Sequence, residues 1–158
     1  MASETATPTA TVERTEHGNW KAGVVAGLAG GLVMGAMLSL LMTPVIEAAI
    51  PALYGLSGGI AGWTIHMANS AILGVVFAAL AGALPRYAET PLESAGLGAV
   101  YGVVLWVVLA GFVMPIWLAA VGFPMAPPIP NLDPMSLVGH VVYGAILGAT
   151  YPTLVGRM

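Results

Sequence analysis

Gly23-Val24-Val25-Ala26-Gly27-Leu28-Ala29-Gly30-Gly31-Leu32-Val33-Met34-Gly35 decides how this chain folds. Gly23, Gly27, Gly31 and Gly35 recur at every fourth position, so they share one face of a helix. The stretch sits inside an almost unbroken apolar run, 22–42. About 20 apolar residues are enough to cross the hydrocarbon core of a bilayer. In lipid, a face of glycines lets a second helix approach backbone to backbone. The run therefore predicts a transmembrane packing spine, with the other apolar runs as its partners.

Composition agrees. Of 158 residues, 58% are hydrophobic and 7% are charged. An average soluble domain carries about 25% charged residues. A chain this apolar cannot cover a water-facing surface, which places it among integral membrane proteins. The absence of cysteine removes disulfides, thiolate metal sites, iron–sulfur clusters and cysteine nucleophiles. The net charge of −3 is diffuse and contains no basic run, which argues against a nucleic-acid partner.

Residues 1–18 are rich in Thr, Ala and Glu without apolar period and read as a disordered tail on the cytoplasmic side. They lack the short basic segment of a signal peptide. Residues 19–158 read as one all-α domain with helices at about 22–43, 61–84, 94–119 and 134–155. Pro44 ends or kinks the first helix. Asp133-Pro134 supplies a cap and a first-turn proline for the fourth. The proline-rich loop 122–134, with Phe123, Met125 and Ile129, is expected on the outer mouth of the bundle or on a partner. Tyr54, Trp63 and Trp117 are read as an outer aromatic belt, Trp20 and Tyr87 as an inner one, and Trp106 as lipid-facing or packing bulk. Arg14, Lys21, Arg86 and Arg157 all fall on the side of the termini, so the positive-inside rule puts both termini in the cytoplasm.

The chain also resembles itself. A shift of 74 places His66 on His140, Ala71-Ile72-Leu73-Gly74 on Ala145-Ile146-Leu147-Gly148, and Phe77 on Tyr151. A shift of 71 places Gly27 on Gly98, Gly31 on Gly102 and Pro44 on Pro115. This predicts two duplicated helical hairpins related by an axis along the membrane normal. Gly62-Trp63-x-x-His66 and Gly139-His140-x-x-Tyr143-Gly144-x-x-Leu147-Gly148 resemble a family of small four-helix membrane proteins of unknown function. That family is common in halophilic archaea, and its members are sometimes mislabelled as histidine kinases. The resemblance implies the four-helix architecture and no catalytic residue. Four spans leave no room for a nucleotide-binding domain.

Two histidines are the candidate site. His66 and His140 lie within about two turns of the outer ends of their helices, at a depth of roughly 7–9 Å. Ionisable groups at such depth face a bundle interior or a wet cavity. Asn69 and Ser70 follow His66 on the same face, as Tyr143 and Gly144 follow His140. In an up-down bundle the two helices are diagonal, roughly 12–14 Å apart if neighbouring axes are 8–10 Å apart. Across that gap two imidazoles could ligate a haem (of the b type), or a divalent metal with Glu47 as third ligand. Packing alone also accounts for them: each histidine bonds a carbonyl or a neighbouring side chain and pins the helices. Glu47 equally reads as a solvated interfacial residue. Gly98-x-x-x-Gly102 and Gly144-x-x-x-Gly148 complete the close-contact faces, toward other helices of the chain, a second copy or another subunit.

Three functions follow. With no nucleophile or nucleotide motif, the leading expectation is a non-enzymatic accessory or assembly subunit of a membrane complex. The others are a haem- or metal-binding electron-transfer or sensor unit, and a small solute or ion transporter.

Overall fold

The computed structural model describes residues 18–158. The tail expected over 1–18 lies, except for Gly18, outside the described residues, and so does Arg14. Among the described residues, four helices are long and apolar enough to cross a membrane: α1 (Trp20–Leu41), α2 (Gly59–Ala83), α3 (Pro91–Ala120) and α4 (Pro134–Val155). Every regular element among the described residues is helical. The protein is thus an all-α, multi-pass membrane protein built as a four-helix bundle.

Local chemistry sets the helix ends. The Asp133 carboxylate accepts from Ser136 N at 2.7 Å and Pro134 takes the first helical position, so α4 spans the segment expected. Helix α3 begins three residues before the expected start. Thr90 Oγ1 accepts from Glu93 N at 3.3 Å and donates to the Glu93 carboxylate at 2.8 Å. This Thr90 cap lay unread inside the polar connection. Asn19 caps α1 by accepting from Ala22 N at 3.1 Å. Helix α1 stops at Leu41, because Met42 leaves the helical region at φ −139°, and Pro44 enters the first turn of a new segment. A proline there loses no helical bond.

That new segment is a hook, π-helical over Val45–Ala49 and α-helical over Ile50–Ala52. A second π-helical stretch, Trp106–Val113, precedes Pro115 inside α3. Each loosened stretch ties down a loop. Proline cannot bond the carbonyl four residues back. Pro51 leaves the Glu47 carbonyl to Gly58 N at 2.9 Å, and Pro115 leaves the Gly111 carbonyl to Asn131 N at 2.9 Å. The loop 121–133 therefore folds back along α3.

Helices α1 and α2 pack as one close pair, α3 and α4 as another. A methyl at Gly74 would fall on the Gly23 carbonyl and one at Gly27 on the Ser70 carbonyl. In the second pair, a methyl at Gly148 would fall on the Ser94 carbonyl, at Gly98 on Gly144, and at Gly102 on His140. Adding 71 to the first member and 74 to the second converts 23/74 and 27/70 into 94/148 and 98/144. Likewise 31/66, where the Gly31 carbonyl meets His66, becomes 102/140. Phe77 and Tyr151, equivalent under the shift of 74, touch edge to face at 5.7 Å. Gly35 packs against the Trp63 ring.

The two remaining seams differ. Helix α1 runs close along α4, whereas α2 and α3 barely touch. The side chains explain this. Ala22, Ala26, Gly30 and Met34 share one α1 face, and a methyl at Gly30 would stand 2.6 Å from the Tyr143 carbonyl oxygen. At the equivalent α3 positions stand Glu93, Leu97, Tyr101 and Leu105. Small residues close one seam and large ones hold the other open. Tyr101 spans the open seam, its hydroxyl donating to the Leu73 carbonyl at 2.9 Å.

Candidate functional site: a chamber in the distal half of the bundle

The open seam and the folded-back loop enclose a chamber of about 600 Å³ in the half of the bundle distal to the termini. Its walls are mostly apolar, with Leu109, Ala110 and Val113 from the π-helical stretch of α3 and Val45 and Ala49 from the hook. Loosened helical geometry is therefore what shapes two of its walls; π-helical turns often occur at functional sites. Ile72, 62% exposed on the lipid-facing surface, and Val113, 41% exposed, both border the chamber. The α2–α3 seam is thus a lateral opening toward lipid. Toward the termini the bundle axis is filled by Phe77, Tyr101 and Tyr151, with Phe77–Tyr101 ring centres 5.6 Å apart.

His66 and His140 both border this chamber, as do Asn69, Ser70 and Tyr143. His66 is buried, and its Nε2 lies 2.9 Å from the Gly31 carbonyl. A carbonyl only accepts, so Nε2 carries the proton and Nδ1 the lone pair. His140 has the opposite arrangement. Its Nδ1 donates to the Ser136 carbonyl at 2.8 Å, leaving the lone pair on Nε2. Ser70 Oγ donates to the His66 carbonyl at 2.8 Å, and the Tyr143 hydroxyl donates to the Ser70 carbonyl at 2.8 Å across the bundle diagonal. The histidines make the carbonyl contacts that packing alone calls for, and each still keeps a free ring nitrogen. Among the described residues, Ser94 Oγ is the buried side-chain polar atom without a partner. The free histidine nitrogens are therefore not sealed in apolar packing but reach the chamber.

Glu47 is not brought to the imidazoles. Its side chain is exposed beside Gly59 and it does not border the chamber. No group of three or more His, Asp or Glu side chains stands at metal-binding spacing among the described residues. Asp133 borders the chamber, held at the α4 N-terminus, where a negative charge is favoured.

The aromatic residues divide. Tyr54 and Trp117 pair at 5.3 Å at the chamber mouth, both well exposed. Trp63 is half-buried: its Nε1 donates to Ser39 Oγ at 3.1 Å and its ring meets His66 edge to face. Trp106 is half-buried, its Nε1 donating to the Asp133 carbonyl at 3.1 Å, so of the two places read for it, lipid or packing, it takes the second and holds the start of α4. Phe123 and Met125 border the chamber; Ile129 does not. Sequence reasoning missed Tyr101, Ala110 and Asn131. A signal existed for two of them, since Pro115 must free the carbonyl of Gly111, beside Ala110, for some outside donor.

No protein-family model, curated protein or solved structure matches this chain. The class to which it belongs rests on the fold: a polytopic four-helix membrane protein with a side-opening chamber.

Proposed function

We propose that the protein is a non-enzymatic binding subunit of a membrane assembly, whose distal chamber holds a small, largely apolar molecule. One observation carries this reading: a chamber of about 600 Å³ with apolar walls, a few inward polar groups and a lateral opening to lipid. Ligand sites typically enclose about 300–1,000 Å³ with this mixture of walls. The polar groups support binding over catalysis. Ser136 Oγ lies 3.5 Å from His140 Nδ1, but that nitrogen already bears a proton and cannot act as its base. The aromatic plug of Phe77, Tyr101 and Tyr151 supports a closed receptor more than a passage for a transported solute.

The test is native mass spectrometry of the protein extracted from its own membranes in mild detergent. The native chain is expected to carry a bound small molecule. Ala110→Trp and Ala49→Trp, which fill the chamber from α3 and from the hook, are expected to lose it. No bound molecule in the native chain, or one retained by both variants, would refute the reading. Purification as a monodisperse, partner-free monomer would count against the subunit role.

A second reading, haem or metal ligation, draws on His140. Its protonated Nδ1 on a backbone carbonyl and its free Nε2 match the usual posture of a metal-ligating histidine. Sharp bands in a reduced-minus-oxidised visible spectrum, abolished by His66→Ala or His140→Ala, would support it; a flat spectrum would remove haem.

Lys21, Arg86 and Arg157 lie toward the end that carries the termini, which supports cytoplasmic termini and a chamber facing outward. The paired glycine and histidine motifs support kinship with the small four-helix proteins of halophilic archaea.

A further inference from the structure

We infer that the chamber selects a molecule that donates hydrogen bonds: an amphiphile with a hydroxyl head on an apolar body, entering from the lipid through the α2–α3 seam. The inference rests on the chamber being a binding site and goes on to name the chemistry of its ligand.

His66 uses its N–H on the Gly31 carbonyl, and His140 uses its own on the Ser136 carbonyl. Ser70 and Tyr143 donate their hydroxyl hydrogens to the carbonyls of His66 and Ser70. The two histidines therefore meet the chamber with a lone pair each, and Ser70 and Tyr143, which also border it, have no hydrogen left to give. Asp133 is a carboxylate with no hydrogen to offer, and its Oδ1 is already engaged by Ser136 N. Asn69, Asn131, Ser136 and Tyr54 can both donate and accept, so they do not discriminate, and the one donor-only group of the lining, Trp117 Nε1, belongs to the exposed Tyr54–Trp117 pair at the mouth. A head group that only accepts, such as a ketone or ether, would leave the two imidazole nitrogens unpaired in a desolvated site. A hydroxyl satisfies one of them and can itself accept from an amide. Discrimination of this kind is strong because the site's own polar groups are left unsatisfied by the wrong ligand.

The rest of the ligand is set by the walls. Leu73, Leu105, Leu109 and Met34 offer no polar partner to a body seated below the head. Exposed Ile72 and Val113 at the seam give that body a route from the acyl chains. Lys21, Arg86 and Arg157 lie toward the other end of the helices, so among the described residues no Lys or Arg stands in the distal half to hold an anionic head.

The experiment compares 1-naphthol with 1-methoxynaphthalene, which share an aromatic body and differ in the donor hydrogen. Binding to the full chain in nanodiscs is measured by titration calorimetry, with empty discs subtracted. Naphthol is expected to bind about tenfold more tightly, the worth of roughly one hydrogen bond. His140→Phe, which removes one acceptor and keeps the bulk, should cut that preference severalfold, and His66→Phe should do the same if it folds. Equal affinity for the two probes overturns the hydroxyl inference while leaving the chamber as a site. A preference unchanged in His140→Phe overturns the role given to that histidine. Failure of both probes to bind overturns the inference together with the binding reading beneath it.

Discussion

Replacing Gly98 by alanine puts one methyl group into the tightest part of the α3–α4 seam. The new carbon would stand 2.8 Å from the Gly144 carbonyl carbon and 3.1 Å from Gly148 Cα. Carbon atoms pack best at about 3.5–4.0 Å. The Gly144 carbonyl oxygen is nearer still, so the two helices must separate by roughly 1 Å or more here, and a gap of about 1 Å already forfeits about half of each dispersion contact along the seam. The opposing atoms are backbone and cannot rotate aside. We expect a loss of about 3 kcal/mol, the upper end of the range of about 1–3 kcal/mol for overpacking. Gly96, two residues earlier on the same helix, has open space where its methyl would go. Gly96→Ala therefore controls for the change in helix propensity alone and should cost nothing. The assay is equilibrium unfolding in mixed bicelles with increasing dodecyl sulfate, followed by tryptophan fluorescence. A Gly98→Ala protein within about 0.5 kcal/mol of Gly96→Ala, the usual scatter for neutral substitutions, would refute backbone contact at this seam.

Three further outcomes are expected. Tyr143→Phe removes the hydroxyl that bridges the diagonal to the Ser70 carbonyl, and should cost about 0.6–1.5 kcal/mol in the same unfolding assay. Ser94→Ala should raise stability by about 1 kcal/mol, because it deletes a fully buried hydroxyl that has no partner; a loss instead would mean that the hydroxyl is bonded in the membrane. Pro115→Ala restores an N–H that competes with Asn131 for the Gly111 carbonyl, so the loop 121–133 should be cut faster in limited proteolysis. Unchanged cleavage would separate that loop's position from Pro115.

Much of the fold was legible in the residues, and the reasons are local. Asp133-Pro134 gave the start of α4 because a cap and a first-turn proline act within one turn. Thr90-Pro91-x-Glu93 carried an equally local signal for α3, obscured by the polar residues around it. The four apolar runs follow from the length a bilayer demands, and the glycine spacing from helical geometry. The histidines were singled out by the cost of polar groups in lipid, but not their tautomers. Those depend on the Gly31 and Ser136 carbonyls, and Gly31 lies on another helix. The partners of Trp63 and Trp106, Ser39 and Asp133, were hidden for the same reason, since they are distant in the chain.

By itself, then, the sequence determined that residues 18–158 hold four helices long and apolar enough to cross a membrane, about where each lies, and which helix faces carry only glycine. Each of these is a property of one residue or one helical turn. Only the tertiary structure decided that α1 and α4 close while α2 and α3 stay apart, and hence that a chamber exists. That outcome compares Ala22, Ala26 and Gly30 with Glu93, Leu97 and Tyr101 across two seams at once. Hydropathy scores apolar residues alike, but it is their volumes that set how closely two helices approach.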